Sequence, residues 1–205
     1  MRKIKWAFWI IVIFFVGLFF EYTLPQHDIV RITEAYNRVT PLGAINKYFY
    51  AAQDAGTAAS TSRDVRFIDA VYPDGTTVAV YRNEDTGFWP PYLKFDSSNL
   101  QAEASNYKST ADAPKWVMVT HYGWRVTWES IYPNVVKIVP VAGPDVRIIP
   151  WVNIIILTLF AFAVFMIRRM WLQFWERMVD PAVASVEETG DKAKGFFARL
   201  FGRKG

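Results

Sequence analysis

Cysteine is absent from the 205 residues, which removes disulfide frameworks, thiolate metal sites, iron–sulfur clusters and cysteine nucleophiles together. An exported domain of this chain must therefore hold itself by packing alone. No N-x-[ST] sequon occurs either, a composition that fits a bacterial envelope better than a eukaryotic secretory route. Also missing are G-x-S-x-G, a phosphate-binding G-x-x-x-x-G-K-[ST], H-E-x-x-H and a dinucleotide-type glycine cluster. Histidine is scarce, with His27 and His121 only. With Asp28, Asp64, Asp69 or Glu84 they can be imagined around a metal, but no ligand spacing requires it. Ser and Thr are plentiful, yet none is tied by sequence to a base. No catalytic residue, metal ligand or cofactor is assigned on these grounds, and an enzyme is the less favoured class.

What is abundant is apolar and aromatic: 52% hydrophobic and 17% aromatic residues, at a mean hydropathy of only +0.09. The surplus sits in two runs. The first is Trp6–Phe20, preceded by M-R-K-I-K. Its 15 residues span about 22 Å, short of a hydrocarbon core of roughly 30 Å, so Ile4 and Tyr22–Leu24 are needed to extend it. A cleaved signal peptide is the rival, but E-Y-T-L-P-Q-H-D offers no small-x-small cleavage site, and an uncleaved anchor is expected. The second run is Ile148–Ile167, 20 residues long, with Pro150 expected in its first turn and Arg168 and Arg169 closing it. Trp6, Trp9, Trp151, Trp171 and Trp175 mark the ends of the runs as interfacial aromatics do, with Arg168 and Arg169 beside them.

The net charge of +4 is unevenly placed. Residues 1–20 carry Arg2, Lys3 and Lys5 with no acid, and residues 168–205 carry 8 basic against 5 acidic side chains. Residues 22–147 hold 12 Lys and Arg against 13 Asp and Glu, a net charge of −1. Two basic ends around a neutral middle follow the positive-inside bias rather than the basic stripe of a nucleic-acid binder. The expected topology is a bacterial inner-membrane protein with 1–21 and 148–169 as cytoplasm-flanked spans, 22–147 in the periplasm and 170–205 a cytoplasmic tail.

The middle segment reads as short β-prone runs between turn signals: Ile29–Thr33, Val65–Tyr72, Thr76–Arg82, Trp116–Tyr122 and Val135–Val141. Tyr72-Pro73-Asp74-Gly75 is a hairpin turn, and Asp96 caps a short helix over S-S-N-L-Q-A-E-A. Both faces of Trp116–Trp124 are apolar, which predicts a strand with neighbours on each side. Ala51–Ser62 reads as a mobile loop. The fold class predicted is α plus β: two transmembrane helices flanking a small, mostly antiparallel β domain with one short helix. Trp89 follows the polar cluster R-N-E-D (82–85), and Trp124-Arg125 follows His121-Tyr122-Gly123; these are candidate partner-binding residues. For each, a capped turn or a Trp packed under Arg is the structural alternative.

Beyond the second run, Met170, Trp171, Phe174, Trp175 and Met178 form a stripe that continues the helix to Asp180-Pro181. Lys192–Lys204 sets Phe196, Phe197, Leu200 and Phe201 against Lys192, Lys194, Arg199, Arg203 and Lys204, an interfacial basic helix unless it is a disordered tail.

Four stretches, Y-T-L-P-Q-H-D-I-V-R-I-T (22–33), Y-R-N-E-D-T-G-F-W-P-P-Y-L-K-F-D-S-S-N-L-Q-A-E-A (81–104), V-T-H-Y-G-W-R (119–125) with S-I-Y-P-N (130–134), and P-V-A-G-P-D-V-R-I-I-P-W (140–151), carry a family resemblance. Over roughly residues 1–175 the chain resembles an uncharacterised family of proteobacterial membrane proteins, best represented in alphaproteobacteria and known as a domain of unknown function. The resemblance implies an inner-membrane location with a periplasmic domain. It brings no activity, cofactor or site residue. The leading expectation is a non-enzymatic accessory, assembly or interaction subunit whose partners are the lipid bilayer and a membrane complex, with no nucleic acid. The alternatives are an envelope enzyme or metal-dependent sensor using His27 or His121, and a lipid-surface organiser acting through the tail.

Overall fold

The computed structural model describes residues 2–50, 62–87 and 89–181. The chain divides at Pro150 into a first unit that holds one long helix and the β domain, and a second unit that opens at Trp151. Residues 51–61 of the segment expected to be a mobile loop, and the expected basic tail with Phe197, Arg199 and Phe201, lie outside the described residues, while Ser62 opens a strand.

Helix α1 covers Arg2–Thr23. Its 22 residues give about 33 Å, so the flanks of the first apolar run do supply the length that its centre lacks. Helix α3 covers Trp151–Phe174 and passes into a π-helical turn over Trp175–Val179. The helix begins at Trp151, so Pro150 stands immediately before it rather than inside its first turn, and the residue before the proline is driven from helical backbone. The aromatic stripe does continue as helix to Pro181. Both helices are long and apolar enough to cross a membrane, and neither buries any of its apolar window against the rest of the chain. Polar Thr158 is accommodated in α3 by donating its hydroxyl to Ile154 O at 2.7 Å.

Between the helices lie β1 (Gln26–Pro41), β2 (Ser62–Val71), β3 (Val78–Arg82), α2 (Ser97–Asn106), β4 (Trp116–Tyr122) and β5 (Asn134–Pro140). The strands close into a barrel in the order β1-β2-β3-β5-β4. Every ladder is antiparallel except β3 with β5, and β4 has a neighbour on each side. Closure pairs the strand edges around the ring except along the β3–β5 seam, where one residue pair is in register. The β2–β3 hairpin turns at Tyr72–Gly75, where Gly75 takes φ +74° and Asp74 Oδ1 accepts from the backbone of Thr76 and Thr77. Asp96 caps α2 by accepting from Asn99 N.

Alternation along β1 and β4 puts Val30, Ile32, Val117 and Val119 inside, where they meet Ile68, Ala70, Tyr81, Val135 and Ile138. Helix α2 adds Leu100 and Ala104 to that core near Ile32, whose carbonyl accepts from Ser109 N. A bulge between Ile32 and Glu34 shifts the register of β1 on β2. Beyond it, Val65 and Phe67 of β2 build a second cluster with Tyr50, and Tyr36 packs against it.

The barrel closes between β3 and β5 on polar side chains. The register there pairs Arg82 with Asn134. Asn134 accepts from Glu84 N and donates to Glu84 O, both at 2.9 Å, and also reaches the Tyr122 hydroxyl at 3.0 Å. Arg82 donates to Tyr132 O at 2.9 Å and forms a buried pair with Glu84 at 2.7 Å. Lys94 Nζ donates to Asn83 Oδ1 at 2.5 Å, Val135 O at 2.7 Å and Glu84 O at 3.1 Å. Those three acceptors match the three protons of an ammonium, while burial, opposed by nearby Asp85, pushes Lys94 down to about 7.

Helix α1 is joined to the barrel by its last turn. Gly123 N donates to Tyr22 O at 2.9 Å, the Tyr92 hydroxyl donates to Thr23 O, and the Trp124 indole N–H donates to the Glu21 carboxylate. Phe19 stacks on Trp89 with centroids 5.5 Å apart, and Tyr22 meets Trp124 edge-on at 5.1 Å.

Replacing Lys94 by Met is expected to destabilise the fold by about 2–4 kcal/mol, because Asn83 Oδ1 and the Val135 carbonyl each lose a donor in the interior and the Glu84 carbonyl keeps only that from Asn134. Denaturant unfolding of the full chain in detergent, followed by near-UV circular dichroism, measures this. Gly123→Ala is expected to cost about 1–2 kcal/mol in the same assay. The cause is backbone strain at φ +95°, since a Cβ there would meet Tyr22 only at 3.6 Å, an ordinary contact.

Candidate functional site

At the end of the barrel interior away from α2, the inward alternation of β1 and β4 replaces valine with Asp28 and His121. Asp28 Oδ2 accepts from the Tyr81 hydroxyl at 2.6 Å, the Tyr72 hydroxyl at 2.8 Å and His121 Nε2 at 2.9 Å. Three donors on one oxygen require an ionised carboxylate. Burial pushes the Asp28 carboxyl up, but the hydrogen bonds from His121 and Tyr81, the His121 ring and Tyr72 together hold it below the usual carboxylate range. The donors are fixed by the same contacts. Burial and the Asp28 bond push the Tyr72 hydroxyl up to about 12, and burial with the Asp28 charge pushes Tyr81 up further.

Among the described residues the donors to Asp28 all fall on Oδ2; its side chain is 24% exposed and lines a cleft of about 700 Å³. Tyr81 and His121 form the buried side of this cleft, and Trp124, Arg125 and Glu21 its exposed side. Leu18 and Glu21 bring the last turns of α1 into its wall. Arg125 Nη1 donates to Val78 O at 2.7 Å, and its remaining guanidinium N–H groups have no partner among the described residues. His121 presents no free nitrogen to the cleft: Nε2 is bonded to Asp28, and Nδ1 is buried without a partner.

The residues singled out by sequence fall in different places. His121 joins Asp28, but His27 points to the other face of β1, half-buried, where burial and then the nearby His121 push it down. Asp64 bonds to Asn37 at 3.3 Å, Asp69 to Tyr36 at 3.3 Å and Glu84 to Arg82 at 2.7 Å, so none of the three comes to a histidine. Among the described residues no group of three His, Asp or Glu side chains is placed to hold a metal ion. Trp124 and Trp89 are engaged with α1 itself, through Glu21 and Tyr22 and through Phe19, while Arg125 sits exposed over the cleft without stacking on Trp124. Trp6, Trp9, Trp151, Trp171 and Trp175 are exposed on the two apolar helices, and Arg168 and Arg169 lie exposed in the last turns of α3.

Sequence reading missed Tyr72, Tyr81 and Asp28 as a unit with His121. The two ends of the Asp28–His121 bond are 93 positions apart. The available signal was the apolar parity shared by His121 with Val117 and Val119, which places it indoors and therefore demands a partner.

Two long apolar helices, one before and one after a closed β-barrel in the chain, define an α+β chain with two candidate membrane spans. The chain belongs to the family described as protein of unknown function (DUF1523), which matches residues 1–175. It is similar to an uncharacterized protein of Haemophilus influenzae, 34% identical over 180 residues, covering 83% of this chain and 97% of that one. No solved structure matches.

Asp28→Asn tests the hub. Its folded value is depressed, so Asp28 contributes stability that is present above its ordinary value of 3.8 and is lost as the pH falls through the lower folded value. The variant is expected to lose about 1.5–3 kcal/mol at neutral pH, and to show a smaller further loss on acidification than the parent chain does. Urea midpoints of both proteins across that acid range measure the difference.

Proposed function

We propose that this chain is a bacterial inner-membrane protein with both termini in the cytoplasm and the barrel region, residues 22–147, in the periplasm. There it acts as a non-enzymatic accessory or assembly subunit that presents the barrel to a partner in a membrane complex. The topology is supported by the basic ends around a neutral middle and by two long apolar helices whose apolar windows are not buried in the fold.

The observation that carries the non-enzymatic reading is the commitment of the polar groups. A general base must reach a substrate proton at hydrogen-bond distance, yet His121 Nδ1 is closed off and Nε2 is held by Asp28. Arg82, Asn83, Glu84 and Lys94 of the motif stretch are buried and bonded to one another or to backbone. Exposed instead are large apolar side chains in the segments between strands: Trp128 at 80%, Phe95 at 71% and Leu93 at 70%. Such residues favour contact with a partner. The envelope-enzyme alternative has the Asp28–His121 pair in its favour, and the closed nitrogen against it.

The absence of cysteine makes the topology directly testable. A single cysteine at Asp112, in an exposed loop, is expected to react with a membrane-impermeant maleimide once the outer membrane is permeabilised. One at Lys3 should react only after the inner membrane is broken; the reverse pattern would overturn the orientation. A photo-crosslinking residue in place of Trp128 is expected to give one discrete heavier adduct in intact membranes. A clean monomer with no adduct would count against a partner.

A further inference from the structure

We propose that the cleft beside the Asp28 hub binds a headgroup carrying an ammonium next to a phosphate, as in phosphatidylethanolamine. Three features converge there. First, Asp28 lines the cleft and its donors all fall on Oδ2, which leaves Oδ1 without a donor among the described residues. Glu21, whose carboxylate takes one bond from Trp124, adds a second negative charge at the exposed side. Second, the rings of Tyr72, Tyr81 and Trp124 border the same space, the surroundings in which an organic cation is held by ring electrons as well as by charge. Third, Arg125 carries unpaired guanidinium N–H groups at the exposed side, suited to a phosphate oxygen.

The two charges of the cleft therefore match the two charges of the ligand. An anion alone would face Asp28 and Glu21, and a simple cation would leave Arg125 unanswered. Position selects the same class. Leu18 and Glu21 belong to the last turns of α1, so the cleft lies where the apolar helix meets the barrel. A lipid headgroup could enter it there with its chains remaining beside the helix. The open cleft of about 700 Å³ is of the size of small-ligand sites.

Only the lipid source of the ligand rests on the membrane reading above. Soluble O-phosphoethanolamine offers the same ammonium and phosphate without a bilayer, so failure of the topology and failure of the site are read separately. The full chain in mild detergent is presented with equal amounts of phosphatidylethanolamine and phosphatidylglycerol, and retained lipid is counted by native mass spectrometry. Phosphatidylethanolamine is expected to be retained about tenfold over phosphatidylglycerol, the ratio that one charge-assisted contact supports. Arg125→Gln and Asp28→Asn should each remove most of that preference, and Glu21→Gln part of it. Soluble O-phosphoethanolamine should displace the lipid, whereas inorganic phosphate should not. Stronger displacement by the soluble compound, without preference among lipids, would assign the cleft to a free metabolite of the same chemistry.

Equal retention of the two lipids together with no displacement by O-phosphoethanolamine would overturn the site, as would a preference unchanged in Arg125→Gln. If Asp28→Asn loses its near-UV signal, Arg125→Gln carries the test, because Arg125 is exposed and makes only the bond to Val78 O.

Discussion

The barrel depends on how β3 and β5 are brought together, because that is where the circle of strands is closed. Their register pairs Arg82 with Asn134, too little ladder to seal a sheet by backbone bonds. Closure is completed by side chains: Asn134 clasps the backbone of Glu84 from both sides, and Lys94 ties Asn83, Glu84 and Val135. An apolar seam would close with more hydrophobic stabilisation but with less definition of register. Here every proton of the ammonium has an acceptor, so the Lys94 end of the seam is satisfied and can specify one arrangement. Asp85 extends it by holding the backbone N–H and hydroxyl of Ser97 at the start of α2, which then delivers Leu100 and Ala104 to the core.

The Asp28 hub solves a related problem at the other end of the interior. An inward carboxylate is costly without donors, and two tyrosines and a histidine supply them from β2–β3 and β4. Since the donors converge on a single oxygen, the other remains available to a ligand. The same arrangement closes His121 to solvent. A site built this way is suited to recognition of charge and poorly suited to moving protons. Its walls include α1, so the fold joins the recognition surface to the helix that leads out of the barrel.

Much of the architecture was legible in the residues. Period-two runs and the Tyr72–Gly75 turn located all five strands, and Asp96 announced α2. The extension of β1 from Thr33 to Pro41 was not legible, because Glu34, Asn37, Arg38 and Val39 are exposed and follow no apolar alternation. That half of the strand is held by its backbone ladder to β2. R-N-E-D at 82–85 reads as a surface turn for a sound reason, since charged residues are rarely buried unless paired. Its pairing partners Lys94, Ser97 and Asn134 become visible only when the chain is folded.

By itself the sequence determined the quantities that depend on local order: two apolar helices, the sign of charge at each end, five strands and the turns between them. These follow from periodicity, composition and proline, which act over a few residues. The tertiary structure alone decided which polar side chains are spent inside the barrel and which are left to meet a ligand. His121 and Asp28, or Lys94 and Val135, are distant in the chain, and their chemistry is set by burial and by the donors that three-dimensional packing brings to them.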